Sequence, residues 1–571
     1  MRKVKNLFGM AVMATALVAC SSNDDLTPNG NDNAVKPGEA YASFRINLPT
    51  TSGTRADAEG TPTFENGDKN EYAVKDAALL LFQKNASGDF VFKEVVDLGN
   101  MEPWTSSSTS GITTTAKLTA KITKAEVGEN KGYYALIVLN NNSETAAKIT
   151  YPTEDQTYAD WSQNEANATA NYLKYDKGFF MANAPKYVAN GTPETLVEIK
   201  NIYASKQQAE NSTATTVYVE RGLAKVSLAS SSAKHVDITD GNYAGDKVDI
   251  EGWTLDVTNT KTYPVHVTEG LWADIWNTTV TPAATNGASM DRFHDTKLTE
   301  FPRVYWGLDP NYSTNFATVE ACNGEFKMAS KDDFKTGEEA KKAQYCLENT
   351  FDIDHMVQGQ TTRVLFSAKY TPDNFADGET FYKFGNSPKL WHAADVVAQI
   401  KAKAQEVLGE ADADKVTVTL AATDNDMTKS GVRLVEAANI TYGTTALKPE
   451  QVDKINAKLG FKKATSTDAA VGLSTFESGV SYYVARVKHF NGLTPWTPSD
   501  KTYEGNNANW LGRYGVLRNN WYELSVSSVS GPGYPDVPKV NPTVPDDEND
   551  QYINVEVKIL SWAMRHQSID L

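Results

Sequence analysis

Short apolar runs, separated by turn-forming residues, dominate the hydrophobic pattern of this chain. Seven runs are rich in β-branched and aromatic residues, and clusters of Asn, Gly, Asp and Ser lie between them. These runs are residues 77–82, 132–139, 217–228, 304–306, 361–370, 416–420 and 481–487. Many short strands with turn signals between them are typical of β-sandwiches, so we predict a mostly-β fold.

Helical spacing of apolar residues is convincing in two segments, both in the second half of the chain. Residues 391–408 repeat apolar side chains at helical intervals and are followed by Gly409. Residues 449–459 begin with Pro449 and are followed by Gly460, which are residue types that favour a helix start and a helix stop. We therefore predict helical insertions within the second half of a β-rich chain.

A separate strand is predicted near the N-terminus, in the segment 41–48. Its apolar and polar residues alternate, so that one face carries Ala42, Phe44, Ile46 and Leu48. The pattern ends at Pro49, and the polar run that follows contains one basic residue, Arg55, followed by Ala56. An Arg in an exposed polar loop is an accessible cleavage site for a trypsin-like protease.

A second isolated strand is predicted at the C-terminal end. Residues 530–550 contain five prolines and several acidic residues, a composition that predicts an extended, semi-rigid spacer. Beyond the spacer, apolar residues again alternate with polar ones. The apolar residues are Ile553, Val555, Val557 and Ile559, and Trp562 follows after a shift of phase at Leu560. We predict a strand here, with a bulge at Leu560.

The first 20 residues predict export across a membrane. Basic residues precede the apolar stretch 7–19, which is too short to span a bilayer. The stretch ends in Leu-Val-Ala-Cys at Cys20, which resembles a bacterial lipobox, where the Cys thiol receives lipid. Residues 21–40 are rich in Asn, Asp, Gly and Pro and predict a flexible tether.

Length, composition and charge narrow the choice of function. The chain has 571 residues, of which 40% are hydrophobic, enough for two or three domains with sizeable cores. The formal net charge is -17, and such an acidic surface repels phosphate backbones. We therefore expect no nucleic acid among the partners.

Candidate chemistry is sparse. If Cys20 carries lipid, Cys322 and Cys346 are the remaining thiols, and a disulfide between them or two separate buried thiols both fit an exported chain. The sequence contains no Cys-x-x-Cys pair, no zinc-protease His spacing, no Gly-x-Ser-x-Gly turn and no phosphate-binding glycine loop. We predict no enzyme activity, no catalytic residue, no metal and no cofactor.

Three segments, taken with the features above, resemble one family. Residues 219–226 read Val-Glu-Arg-Gly-Leu-Ala-Lys-Val, and residues 516–522 read Val-Leu-Arg-Asn-Asn-Trp-Tyr. The third segment is the C-terminal stretch 555–571. With the lipobox, the tether, the exposed Arg55 and the terminal strand, they resemble the Bacteroidetes fimbrillins, the type V pilus subunits. The likeness is to the family of the major subunit of minor fimbriae.

The resemblance implies a fold and a route to assembly. The fold would be two transthyretin-like β-sandwich domains, with helical insertions in the second and a C-terminal donor strand. The chain would be exported as a lipoprotein to the outer membrane, cleaved between Arg55 and Ala56, and polymerised by strand exchange. The boundaries would be a signal peptide at 1–20, a propeptide at 21–55, an N-terminal domain at 56–216, a C-terminal domain at 217–530, and an arm with the donor strand at 531–571.

The same resemblance assigns the two isolated strands. The displaced strand would present Ala42, Phe44, Ile46 and Leu48, and the donor strand would present Ile553, Val555, Val557, Ile559 and Trp562. The partners would be copies of this chain, accessory anchor and tip subunits, a trypsin-like maturation protease, and host or bacterial surface ligands. The alternative is a surface glycan-binding lipoprotein of β-sandwich type, which needs neither the Arg55 loop nor a strand beyond a Pro-rich arm.

Overall fold

The structure is a computed structural model, and it describes most of the chain in segments. These are residues 39–49, 64–65, 71, 73–99, 105–106, 112–141, 147–176, 178–187, 193–230, 232–268, 301–312, 318–350, 355–385, 387–409, 413–420, 432–463, 465, 470–489, 512–542, 544, 546 and 553–562. For residues 553–562 it gives the course of the backbone.

The first part of the described chain contains twelve strands and two short helices. In chain order they are β1 (Ala40–Pro49), β2 (Phe64–Glu65), β3 (Ala77–Lys84), β4 (Phe90–Gly99), β5 (Thr105–Ser106), β6 (Ile112–Ile122), β7 (Gly128–Glu129), β8 (Tyr133–Leu139), α1 (Tyr158–Ser162), β9 (Met181–Asn183), β10 (Val197–Glu198), β11 (Asn201–Ile202), α2 (Lys206–Asn211) and β12 (Thr215–Arg221).

The second part of the described chain adds seventeen strands and three helices. They are β13 (Leu223–Leu228), β14 (His235–Asp237), β15 (Lys247–Asp256), β16 (Thr258–Asn259), α3 (Val319–Glu325), β17 (Phe326–Lys327), β18 (Lys335–Thr336), β19 (Gln344–Leu347), β20 (Arg363–Thr371), β21 (Phe381–Phe384), β22 (Leu390–Trp391), α4 (Ala393–Leu408), β23 (Val416–Val418), β24 (Ile440–Tyr442), β25 (Thr445–Ala446), α5 (Pro449–Lys458), β26 (Leu473–Phe476), β27 (Val480–Arg486), β28 (Asn520–Val529) and β29 (Ile553–Trp562). The mostly-β prediction is confirmed.

Nine strands of the first part form one sheet around one core. Their order is β4-β3-β8-β9-β12-β1-β6-β5, and β10 pairs with β8. Strands β3 and β8 are apolar almost throughout because each has a neighbour on both sides and is buried. Their side chains, with those of β1, β9 and β12, make up most of a single hydrophobic cluster. The sheet therefore depends on β1 for part of its core.

The chain changes sheets at Gly222, within what the sequence predicts as one strand at 217–228. Strand β12 belongs to the first sheet and β13 to a different sheet. A Cβ on Gly222 would stand 2.6 Å from two ring carbons of Tyr172, so only glycine fits at this point. The predicted boundary between residues 216 and 217 thus falls inside β12, and the change of sheet comes at its end.

The second part of the described chain contains two sheets that face each other. One has the order β19-β13-β28-β29-β2, and the other the order β14-β15-β20-β27 with β18 beside β15. Side chains from both fill one core, among them Val226 and Leu524 from the first sheet and Phe366 and Tyr483 from the second. This is a sandwich. The finer prediction, that both domains are transthyretin-like, stays a prediction.

The two predicted helices are confirmed and form a unit with its own core. Helices α4 and α5 pack with the small sheet β23-β24-β25, and the buried residues there form a cluster separate from the sandwich core. Gly409 adopts a left-handed conformation with φ 68° and ends α4. The unit lies between β22 and β26, two strands that both belong to the small sheet β22-β21-β26.

Candidate functional site

Strand β1, which carries the predicted displaced residues, has a neighbour on each side. It pairs antiparallel with β6 along its whole length, from Ala40 opposite Ile122 to Pro49 opposite Ile112. On the other side it pairs parallel with β12, from Phe44 opposite Thr215 to Asn47 opposite Tyr218. Both ladders use backbone groups of the first domain. Without β1, two strand edges of this sheet would lose their partner.

Both faces of β1 are covered, although the alternating pattern predicted one solvated face. Ala42, Phe44 and Ile46 are fully buried in the core of the sheet, and Leu48 is 1% exposed. On the opposite face Ser43 and Asn47 are also buried, and Asn47 accepts a hydrogen bond from the Thr115 hydroxyl at 2.7 Å. Helix α2 packs against β1, while Arg45 is exposed.

Strand β29, which carries the predicted donor residues, lies at one side of its own sandwich. It pairs antiparallel with β28 from Asn520 opposite Ser561 to Val529 opposite Ile553. On its other side, among the described residues, it pairs only with the two-residue strand β2, at Ser561 and Trp562. Strands β1 and β29 both have ten residues. The strand is continuous at Leu560, so the predicted bulge there is wrong; the irregularity lies between Val526 and Ser528 of β28.

The Pro-rich arm, predicted as an extended, semi-rigid spacer, is docked on the second part of the chain. The backbone of Tyr534 exchanges hydrogen bonds of 2.8 and 2.9 Å with that of Tyr482. Arg363 donates from Nη2 to the carbonyl of Pro538 at 2.5 Å. Near the end of the described arm, the amide of Asp546 donates to the carbonyl of Met356 at 3.1 Å. These contacts hold an extended segment that composition alone presents as unattached.

Two of the segments that carry the family resemblance meet at the junction between the sheets, although they are far apart in sequence. The side-chain oxygen of Asn519 accepts hydrogen bonds from the backbone amide and the guanidinium of Arg221, both at 3.2 Å. The Lys225 ammonium lies 3.7 Å from the ring centre of Trp521. Strands β13 and β28 run parallel here, with Lys225 opposite Trp521. The segments 219–226 and 516–522 therefore form one structural unit.

A buried charge cluster occupies this junction. Glu220 accepts hydrogen bonds from Arg303 Nε at 2.8 Å and from His266 Nδ1 at 2.9 Å. Arg518 donates to Glu348 and lies beside Glu220. Burial alone would raise the pKa of Glu220, but the positive charges of Arg303, His266 and Arg518 lower it to about 2. The carboxylate stays ionised and ties several elements together.

Sequence patterns did not identify Glu71, which lies beyond the predicted cleavage site and contacts the same junction. Its side chain is 2% exposed and forms an ion pair with Lys225 at 2.8 Å. Its carboxylate also accepts from the Tyr345 hydroxyl, and its backbone carbonyl accepts from Arg221 Nε at 2.9 Å. Glu71, which follows the predicted cleavage site, is thereby anchored to β12, β13 and β19. No periodic pattern in the local sequence could reveal these contacts, because the partners of Glu71 lie about 150 residues or more away along the chain.

The suggested disulfide between Cys322 and Cys346 is not formed. Both are free, buried thiols. Cys346 lies in the sandwich core, and Cys322 packs with Val257, Phe326 and Val540 in a different cluster. Burial raises the pKa of Cys346 to about 12 and that of Cys322 to about 11, so both stay protonated and act as small apolar side chains. The second of the two alternatives, separate thiols, is the correct one.

The remaining predicted site residues, Cys20, Arg55 and Ala56, lie outside the described residues. In the part of the chain that the structure describes, no three His, Cys, Asp or Glu side chains are arranged to hold a metal ion. None of the described helices is both long and apolar enough to cross a bilayer.

Comparisons with known proteins point to one family. Residues 474–568 match the family described as major fimbrial subunit protein type IV, fimbrillin, C-terminal. No curated protein matches the sequence.

Solved structures show a loose similarity over most of the chain. A candidate cell adhesion protein from Parabacteroides distasonis overlaps at a TM-score of 0.37 with 10% identity, covering 92% of this chain and 99% of its own. One from Bacteroides eggerthii gives 0.32 and 11%, covering 93% and 98%. A fimbrial assembly protein from Parabacteroides distasonis gives 0.24 and 13%, covering 62% and 84%. We base the assignment on the matched residues: the chain carries a fimbrillin C-terminal domain, at 474–568, which includes β27, β28 and β29.

Proposed function

We propose that this chain is the structural shaft subunit of a surface fimbria, matured after Arg55 and polymerised by donor-strand exchange in support of adhesion. The observation that carries the proposal is the position of β1, which lies inside the first sheet yet precedes a polar stretch of sequence with a single Arg. The fimbrillin C-terminal domain supports the same assignment. No catalytic role is proposed.

Export as a lipoprotein comes first in this scheme. Lipid on Cys20 would hold the precursor at the outer membrane, and residues 21–40 would tether it there. A trypsin-like protease would then cut between Arg55 and Ala56. The mature chain would lack β1, and the subunit would pass from the membrane into the fimbria at the cell surface.

Loss of β1 would leave an open groove between β6 and β12, the acceptor site, which would bind a new strand strongly. The backbone groups of β6 and β12 that pair with β1 would be left without partners. The core would lose Phe44, Ile46 and Leu48, which are each buried. Burying one such side chain contributes about 1.5–3 kcal/mol. A strand of matching length that presents large apolar residues at alternate positions would restore both the backbone hydrogen bonds and the apolar contacts of the core.

The terminal strand has these properties. Strand β29 has the same ten-residue length as β1 and presents Ile553, Val555, Val557 and Ile559 at alternate positions. In the described chain it has one long ladder, to β28, whereas β1 has two. Insertion into a neighbour would therefore gain a ladder for this strand. The arm that precedes it would have to leave its contacts with Tyr482, Arg363 and Met356.

A shaft role agrees with the presence of this strand, since a tip subunit has no need to donate one. The partners in the fibre would be copies of this chain, with accessory subunits at the anchor and the tip. Host or bacterial surface ligands would be met along the shaft.

The decisive experiment removes the donor strand. Deleting residues 552–571 should abolish polymer on the cell surface, seen by electron microscopy, while the soluble subunit keeps a two-domain protease-resistant core. A finer pair uses the alternating pattern: Val557→Asp should block assembly because an unpaired buried charge is costly, and Lys558→Asp should allow it. Fibres from the truncated chain, or equal assembly of both substitutions, would contradict the proposal.

Maturation has its own test. N-terminal sequencing of surface polymer should begin at Ala56, and Arg55→Ala should leave the precursor unpolymerised because β1 stays in place. Normal fibres from Arg55→Ala would rule out the exchange as described. Labelling with a fatty-acid analogue should mark the wild-type precursor and spare Cys20→Ala.

A further inference from the structure

A cavity opens between the first sheet and residues 266–268, which follow β16 in the second part of the chain. Its volume is about 340 Å³, at the lower end of the range for small-molecule sites. It is lined by the ends of β3 and β4, by β8, by helix α1, and by residues 193–196 and 266–268. In the order of the sheet, β9 and β12 separate β8 from β1. The cavity is thus distinct from the proposed acceptor site.

The floor of the cavity is polar and buried. Ser162 and His266 both line it and are each 1% exposed. Neither the Ser162 hydroxyl nor His266 Nε2 has a hydrogen-bond partner within the described chain. Thr195 and Thr268 add two more buried hydroxyl side chains. Buried polar atoms are normally paired, because an unpaired one costs about 1–3 kcal/mol.

Of the two ring nitrogens of His266, Nδ1 is paired with Glu220 and Nε2 has no partner within the described chain. Nδ1 lies 2.9 Å from Glu220, whose carboxylate is ionised, so Nδ1 carries the proton and donates it. Nε2, the other ring nitrogen, accepts a hydrogen bond in the neutral ring and donates one in the charged ring. Gly307 packs close to that edge of the ring, where a Cβ would stand 2.4 Å from Nε2, so only glycine fits there. The floor therefore offers an unpaired ring nitrogen at His266 and a hydroxyl at Ser162 that can donate or accept.

The walls are aromatic and the mouth carries both charges. Phe90, Tyr134 and Tyr158 are half-buried around the cavity, and the rings of Phe90 and Tyr134 meet edge to face at 4.7 Å between centroids. Burial and the nearby carboxylates raise the pKa of Tyr134, so its hydroxyl stays protonated. Exposed Lys84 and Glu194 lie at the rim with opposite charges, which favours neither an anion nor a cation.

We infer that this cavity binds a neutral saccharide unit of a surface glycan. A pyranose ring presents C–H faces that pack on aromatic rings and hydroxyl groups that both donate and accept. Such a ligand satisfies Ser162 and His266 together, as a purely apolar ligand does not. The site would give a fimbrial shaft its own adhesive contact, and it does not require that the chain polymerise.

Binding can be tested on the purified full-length precursor, which keeps β1 in place. The probes are glucose, galactose, N-acetylglucosamine and their β-linked disaccharides, detected by saturation-transfer NMR and titrated for affinity. Tyr134→Ala should weaken binding about tenfold or more by removing a wall. Ser162→Ala removes one hydroxyl and should weaken it roughly threefold to tenfold with little effect on folding. The matched control is Tyr442→Ala, a half-buried tyrosine in the helical insertion, which should bind normally.

The outcomes separate this inference from the assembly proposal. Saccharide binding that Tyr134→Ala and Ser162→Ala reduce, while fibres still form, supports the site. Absence of binding to every probe at millimolar concentration overturns it, as does binding that all three variants retain. Variants that lose fibres but keep saccharide binding would also overturn it, since the cavity would then hold a neighbouring subunit. Failure of polymerisation alone leaves the binding result standing, because the precursor is measured as a monomer.

Discussion

The two terminal strands of the described chain, β1 and β29, have the same length and opposite surroundings. Strand β1 lies between β6 and β12, and both of its faces are covered. Strand β29 has one full ladder, and its other side, in the described chain, meets only the two residues of β2. A strand held on both sides leaves slowly without a cut, whereas a strand at a sheet edge leaves by breaking one ladder.

This difference assigns separate roles to two similar sequences. Both segments alternate apolar and polar residues, so the pattern alone presents them as interchangeable. In the proposed exchange, β1, which is paired on both sides, would need proteolysis to be removed, whereas β29, which has one long ladder, would move intact. Because their sequence patterns are similar, both strands would fit the same acceptor site. Because their pairing differs, the proposed exchange would run in one direction, with β29 replacing β1.

The largest expected effect comes from the buried face of β1. Phe44→Ala should lower the free energy of unfolding of the precursor by about 3–5 kcal/mol, because the ring is fully buried in the first core. Denaturant unfolding of the purified precursor measures this. Arg45→Ala, at the exposed neighbouring position, is the control and should change little.

The same substitution sharpens the comparison after maturation. Since cleavage at Arg55 would remove β1, mature Phe44→Ala and wild-type chains would be identical, and any fibres they form should have the same stability. Fibres of Phe44→Ala that are weaker than wild type would show that β1 stays in the polymer.

A second substitution tests whether the buried junction couples the stability of the sheet that contains β1 to that of the sandwich that contains β29. Glu220→Gln removes the charge that holds Arg303 and His266 at the junction, leaving buried positive charges without their partner. We expect a loss of about 3–5 kcal/mol in unfolding free energy. Glu154→Gln, in an exposed pair with Lys124, should change the unfolding free energy little, because solvent screens the pair. Equal losses would mean that the junction does not couple the domains.

Acid should weaken the same junction. The pKa of Glu220 falls from 4.5 in the unfolded chain to about 2 in the folded one. Its contribution is therefore complete above about pH 4.5 and is lost as the pH falls toward 2, with a magnitude on the order of 3 kcal/mol. Unfolding free energies measured between pH 7 and pH 2 should show this component in the wild type and lack it in Glu220→Gln.

The smallest expected effect lies outside both strand sites. Gly409→Ala places a side chain at φ 68°, where it is strained, and should cost about 1 kcal/mol in the helical insertion. The insertion has its own core, so fibres should form as in the wild type. Thermal melting and electron microscopy check the two parts. A loss of fibres would place the insertion in the assembly contact.

Local patterns predicted part of this fold: the run 304–306 forms no strand, and β4, β6 and β15 were not predicted, but both helices were. Residues 391–408 and 449–459 gave α4 and α5 to within two residues at each end, since helical spacing and terminal glycines are local signals. Position 222 shows where such signals end. The run 217–228 looks like one strand, and the packing of Tyr172 against Gly222, which depends on the tertiary fold, divides it between two sheets.

The candidate sites were less accessible to sequence reasoning. The apolar row of β1 could be predicted from alternation, but the burial of Ser43 and Asn47 could not, because α2 covers that face from a distant part of the chain. The cavity beside Ser162 and His266 joins several separate segments, none with a characteristic motif. The docked arm also went unpredicted, since its proline composition specifies an extended backbone and leaves its contacts open.

The docked arm has a consequence for the kinetics of growth. In a free subunit β29 pairs with β28 of the same chain, and the effective concentration for this internal pairing is roughly millimolar. The acceptor site of a neighbouring subunit must compete with it. In the proposed polymer, the free energy of adding a subunit is then a difference between two binding free energies of β29: that in the acceptor site of a neighbour and that beside β28 of its own chain. Such a system has a critical concentration of subunits. Below it β29 stays paired with β28 of its own chain, and above it fibres lengthen. Tethering precursors together on a membrane would raise the local concentration past that point and confine growth to the cell surface.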